Sequence, residues 1–83
     1  MSPIFHRHKG YVFKIFSNEE ERLHIHVVKA EKEAKFWLEP EVKLAMNYGY
    51  NSRELTEIKE VIVTYADEFK SKYIQHIGKR IND

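Results

Sequence analysis

A chain of 83 residues without cysteine has room for one small core and none for a disulfide or a thiolate metal site. Its 14 basic and 13 acidic side chains leave a net charge of +1, which is not the strongly basic footprint of a typical nucleic-acid binder. No apolar run approaches the roughly 20 residues that cross a bilayer, and MSPIFHRHKG lacks a signal-peptide apolar core, so a soluble cytoplasmic protein with a single domain over residues 1–83 is expected.

Charge is unevenly distributed along the chain. Met1 to Asn18 holds no acidic residue but carries Arg7, Lys9, Lys14, His6 and His8, and the acids then arrive together as Glu19, Glu20 and Glu21. One end of the molecule is therefore expected to be locally positive, and the glutamate triplet is read as a solvated loop. His6-Arg7-His8 reads as a mobile basic arm, with an extra N-terminal edge strand as the other option.

Tyr11 to Phe16 is β-branched and aromatic between Gly10 and Ser17-Asn18, which predicts a first strand. His24 to Lys29 predicts a second, with Ile25 and Val27 on one face and His24, His26 and Val28 on the other. Ala34 to Glu39 predicts a third, ended by Pro40, with Lys35, Trp37 and Glu39 opposite Ala34, Phe36 and Leu38. Matching the apolar faces puts a turn at Glu31-Lys32, pairs Val27 with Phe36 and Ile25 with Leu38, and sets His26 opposite Trp37 and His24 opposite Glu39.

PEVKLAMN, residues 40 to 47, is read as a short helical turn broken at Gly49. Asn51 or Ser52 caps a long helix, with Glu54 in the capping-box position. Leu55, Ile58, Ile62, Tyr65, Phe69, Tyr73 and Ile77 form its apolar stripe, and Gly78 is the expected stop. The fold class is then α+β: a three-stranded antiparallel sheet covered on one face by a long C-terminal helix. The other face would stay open, carrying His24, His26, Lys35, Trp37 and Glu39 with Lys14 from the first strand. An exposed tryptophan there points to a ligand or partner.

Three readings of that face stand. The histidines can act as acid and base beside Lys35, with Arg7 and Lys14 holding phosphate and Trp37 stacking a base, which would suit a metal-free ribonuclease or an RNA binder. They can chelate a metal, since i and i+2 share a strand face, with Glu39, Glu19 or Glu21 as further ligands; zinc wants three or four ligands, and no cofactor is expected on the first reading. They can be half-exposed strand residues on a surface that docks another protein. The core-like Tyr65, Phe69 and Tyr73, and His76 near the helix end, receive no function. Exposed sheet edges allow a homodimer.

The segments MSPIF, GYVFKIFSNE, HIHV, AKFWLEPEVKLA and NYGYNSRELTEI occur in that order over nearly the whole chain. Together they resemble the small bacterial domain of unknown function numbered four-one-six-zero. That resemblance implies marked positions at Glu19, His24, His26, Lys35, Trp37, Leu38 and Pro40. It also implies a toxin–antitoxin-like module whose partner is a small protein encoded by an adjacent gene. Tyr73 departs from the family, which often has tryptophan there, and the loop before His24 is shorter and free of proline.

Overall fold

The computed structural model describes residues 4–15 and 22–82, with side chains through residue 75. Five strands, β1 (Ile4–His8), β2 (Tyr11–Lys14), β3 (His24–Lys29), β4 (Lys32–Trp37) and β5 (Lys43–Tyr48), precede two helices, α1 (Ser52–Thr64) and α2 (Ala66–Asn82). The strands form one antiparallel sheet in the order β1-β2-β3-β4-β5, so each pairs with its neighbour in sequence.

The sheet has two strands more than the expected three. His6-Arg7-His8 is not a mobile arm but part of β1, paired with β2 through a two-residue turn. Lys9 and Gly10 both take positive φ in that turn, the conformation that matches strand twist and that glycine adopts without strain. PEVKLAMN is not helical either, because residues 43–48 form β5 on the edge of β4. Leu44, Ala45 and Met46 are good helix formers, but the unpaired edge of β4 supplies ladder hydrogen bonds that override a weak local preference.

The β3–β4 register also differs. Ala30 takes a positive φ of 55°, so the turn closes at Ala30-Glu31, with Lys29 opposite Lys32. Every pairing slides by two residues: Ile25 faces Phe36, Val27 faces Ala34, His24 faces Trp37 and His26 faces Lys35. A slip of two keeps each side chain on its face, so the assignment of faces survives the wrong register. Leu38 extends the pairing past β4 by donating its N–H to the Leu23 carbonyl at 2.9 Å.

Asn51 caps α1 as a full capping box: its side chain accepts from Glu54 N–H at 2.8 Å, and Glu54 Oε1 accepts from Asn51 N–H at 3.0 Å. The single long helix is in fact two, interrupted at Tyr65 (φ −108°, ψ 16°). Thr64 Oγ1 donates to the Glu60 carbonyl at 2.8 Å just before the break, a back-bond that bends helices. Backbone hydrogen bonds from Tyr65 to Val61 and from Phe69 to Tyr65 carry the axis across it. Gly78 does not stop α2, which continues to Asn82; the side chain of Ile77 lies outside the described residues.

The helices cover one sheet face. Phe13, Ile15, Ile25, Val27, Phe36 and Leu38 meet Ile58, Ile62 and Phe69 in one cluster, each at most 1% exposed. Phe69 stacks on Phe13 with ring centres 5.9 Å apart and packs on Phe5 at 6.2 Å. The kink turns Tyr65 out of the stripe to 38% exposure, where His6 packs on its ring at 4.4 Å, and Val61 is buried in the core on the preceding turn.

Candidate functional site

Cross-strand pairing assigns the second face of the sheet. Lys14, His26, Lys35 and Met46 form one row across β2, β3, β4 and β5; Arg7, Val12, Val28, Glu33 and Tyr48 form the next. His24, Trp37 and Lys43 form a third row toward the start of β3. The expected company of His24, His26, Lys35, Trp37 and Lys14 on one face is therefore present, with Arg7 beside it on β1. Glu39 is not part of it. It lies beyond β4, exposed, before a cis peptide to Pro40, and its backbone carbonyl accepts from Arg22 Nε at 3.1 Å. Glu19 lies outside the described residues.

The histidines themselves are not half-exposed. His24 is 0% exposed and His26 is 5% exposed. His24 opens β3, at the end of the ladder, where Tyr73 of α2 reaches its ring with centres 5.5 Å apart. Trp37 at 6.1 Å and His26 at 5.3 Å meet the same ring edge-on. Polar rings are held in such surroundings by hydrogen bonds. His24 Nδ1 donates to the Arg22 carbonyl at 2.7 Å, and Tyr73 Oη lies 3.4 Å from that nitrogen. His26 Nδ1 donates to Glu33 Oε2 at 3.2 Å. Carbonyl and carboxylate oxygens only accept, so in both rings Nδ1 carries the proton and, in the neutral ring, Nε2 holds the lone pair.

Cations gather around this pair. The Arg22 guanidinium lies 4.1 Å from the centre of the Trp37 ring and Lys35 Nζ lies 4.6 Å from it, both within cation–π range. Lys14 flanks His26 from β2 as Lys35 does from β4. The face thus combines lysines, an arginine, an indole and a carboxylate-held imidazole. Among the described residues no group of three or more His, Cys, Asp or Glu side chains is placed to hold a metal ion.

Two members escaped sequence reasoning. Glu33 shares the period-two face of Lys35 and Trp37 and would have been found had the strand been started at Lys32. Arg22 lies before β3, in no periodic segment, and no pattern announces it. Conversely, His8 belongs to a separate cluster: its Nε2 lies 4.0 Å from Glu57 Oε2, Lys9 Nζ lies 3.4 Å from the same oxygen, and Tyr11 Oη donates to Oε1 at 3.4 Å. That burial and the nearby Glu57 charge raise the Tyr11 phenol above its ordinary range.

The family model described as "Domain of unknown function (DUF4160)" matches residues 10–73, a stretch that contains β2 to β5, α1 and the whole histidine face except Arg7. Neither a curated protein nor a solved structure matches the chain.

Proposed function

The chain belongs to this family of unknown function, and we propose that it is the RNA-engaging, toxin-like component of a bacterial two-gene toxin–antitoxin-type module. The observation that carries this reading is the Lys14–His26–Lys35 row on the sheet face opposite Phe13, Val27 and Phe36, with Trp37 beside Lys35. Strands lie about 4.8 Å apart, so a row across them sets Lys14 and Lys35 close together on either side of His26, with Arg7 of β1 in the adjacent row. An indole held by two cations adds a stacking surface for a base. A net charge of +1 is no obstacle, because local charge governs such contacts.

Cleavage is the stronger form of the same reading. His26 would exchange the proton and Lys35 would stabilise developing phosphate charge, without a metal. His24, fully enclosed, is better suited to holding its neighbours in place than to touching a substrate.

Titration of a labelled single-stranded RNA over a range of salt concentrations tests the reading. Lys14→Ala/Lys35→Ala should weaken binding and flatten the plot of log affinity against log salt by about 1.4, from roughly 0.7 per lost phosphate contact. Equal affinity and equal slope in the two proteins would overturn it, and electrophoresis of the same mixtures in a chelator detects cleavage.

A second reading has its own support. The burial of both histidines and the exposure of Leu44 (40%) and Tyr48 (65%) on edge strand β5 favour a module that docks a cognate small protein without catalysis. Co-expression with the adjacent gene product separates the two: a complex lost in Leu44→Ser/Tyr48→Ser but kept in Lys14→Ala/Lys35→Ala supports docking.

A further inference from the structure

Arg22 is exposed, yet the fold holds it at both backbone and side chain. His24 Nδ1 donates to its carbonyl at 2.7 Å, and the next carbonyl, of Leu23, accepts from Leu38 N–H at 2.9 Å. Arg22 Nε donates to the Glu39 carbonyl at 3.1 Å, and the guanidinium lies 4.1 Å from the centre of the Trp37 ring. A long exposed side chain ordinarily keeps its rotamer freedom, so ordering this one in advance removes a cost that binding otherwise carries.

Those contacts engage Nε and the ring-facing side of the guanidinium, not its two Nη groups. Glu39 takes part through its carbonyl, and among the described residues no carboxylate lies within ion-pair distance of Arg22 or of Lys43. Lys43, exposed on β5, stands directly opposite Trp37 on the same face. Arg22 and Lys43 thus adjoin one indole, and neither His26, Lys14 nor Lys35 is needed.

Paired Nη groups match two oxygens of one anion. A carboxylate then has no third oxygen for a lysine arriving from β5. A phosphate monoester has one, and it brings a charge of about −1.5 to −2 near neutrality to two cations. We infer that Arg22, with Lys43 beside Trp37, forms a phosphate-monoester site at the end of the sheet where β3 begins. The site needs no polymer, so it stands or falls apart from the RNA reading. Its ligand is either a free phosphate compound or the terminal phosphate of a strand.

Trp37 is the single tryptophan of the chain, so its fluorescence reports on the site. Inorganic phosphate, exchanged for chloride at constant ionic strength, should change that emission saturably, and calorimetry of the same titration gives the affinity independently of the ring. Arg22→Lys keeps the charge but loses the fork, and should weaken binding roughly ten- to a hundredfold, the range of one charge-assisted hydrogen bond. Lys43→Ala removes an exposed charge and should weaken it about two- to fivefold. Backbone spectra that overlay on the wild type establish that each variant is folded. The inference is overturned if phosphate gives no saturable change, if Arg22→Lys binds it as tightly as the wild type, or if acetate matches it at equal concentration. A single-stranded RNA with a 5′-phosphate that binds more tightly than its 5′-hydroxyl counterpart supports the strand end as the source. Equal affinities of the two strands, with inorganic phosphate still bound, support a free phosphate compound.

Discussion

Tyr50 connects β5 to α1 and is buried to 4% exposure, with its ring 5.9 Å from Tyr11. Its hydroxyl donates to the Val27 carbonyl at 3.0 Å and lies 3.4 Å from the Lys32 carbonyl, tying the entry of the helix to the β3–β4 hairpin. Tyr50→Phe leaves the Val27 carbonyl without this donor inside the protein and should cost about 1–2 kcal/mol in denaturant unfolding. Burial first, then the Tyr11 neighbour and the charges of Glu54 and Glu33, push the Tyr50 phenol up to about 12. A phenol with a raised value in the folded state binds its proton more tightly there than in the unfolded chain. Stability is therefore intact below about pH 10 and falls as pH rises toward 12, with a slope of at most about 1.4 kcal/mol per pH unit for one proton. Tyr11, also raised, contributes to the same decline, so the slope should be shallower in Tyr50→Phe and not flat.

The hairpin of β3 and β4 shows how one turn residue governs an element. Its two central residues are Ala30 and Glu31, and Ala30 sits at a positive φ that costs a side-chain-bearing residue about 1–2 kcal/mol. Ala30→Gly relieves that strain while making the unfolded chain more flexible, which takes back about 0.5–1 kcal/mol. The net should be a gain of about 0.5 kcal/mol with the register unchanged, read from the denaturation midpoint at constant m-value. Sequence reasoning missed this turn because neither Ala-Glu nor Glu-Lys carries the chemistry of a tight turn, and a slip of two residues leaves the alternation intact. It missed β5 because an exposed edge strand lacks a clean buried face: only Met46 of its six residues is even half-buried. The capping box was readable because Asn51 and Glu54 meet a local rule that tertiary contacts reinforce. Lys32 Nζ donates to Glu54 Oε2 at 2.9 Å. The hydrogen bond from Asn51 N–H, with that lysine second, holds the Glu54 carboxyl below its usual range, so the contribution of this cap is present near neutrality and lost as pH falls.

At the scale of the molecule, one helix residue joins the halves. Phe69 is fully buried against Phe5 and Phe13 and next to the His6 ring, 6.0 Å away. Phe69→Ala should cost about 3–5 kcal/mol, a large share of the roughly 4–12 kcal/mol expected of a domain this size. Circular dichroism should show a substantially lowered melting temperature, and a melt like the wild type's would mean that the helix is not the lid of this core. The two-layer plan, sheet beneath helix, was readable from the period change between residues 11–39 and 52–79, because each half carries one apolar face that only the other can cover. The candidate site was readable in part: alternation alone sends His24 and His26 to the side opposite Ile25 and Val27, but it missed Arg22 and Glu33 and wrongly included Glu39. Its burial was not. That depends on Tyr73 reaching the end of β3 and on Arg22 lying over Trp37, contacts between distant segments that no local pattern encodes.

The order of elements has a consequence during synthesis. Because β1 to β5 all precede α1 and α2, a ribosome delivers Phe13, Ile25, Val27 and Phe36 well before the Phe69 that covers them. Each strand can pair with the one just made, yet the apolar side of the growing sheet waits uncovered until the last third of the chain emerges. A stalled or truncated product ending near Tyr50 would present that surface to the cell, so a chaperone or protease would meet this protein first as a naked sheet.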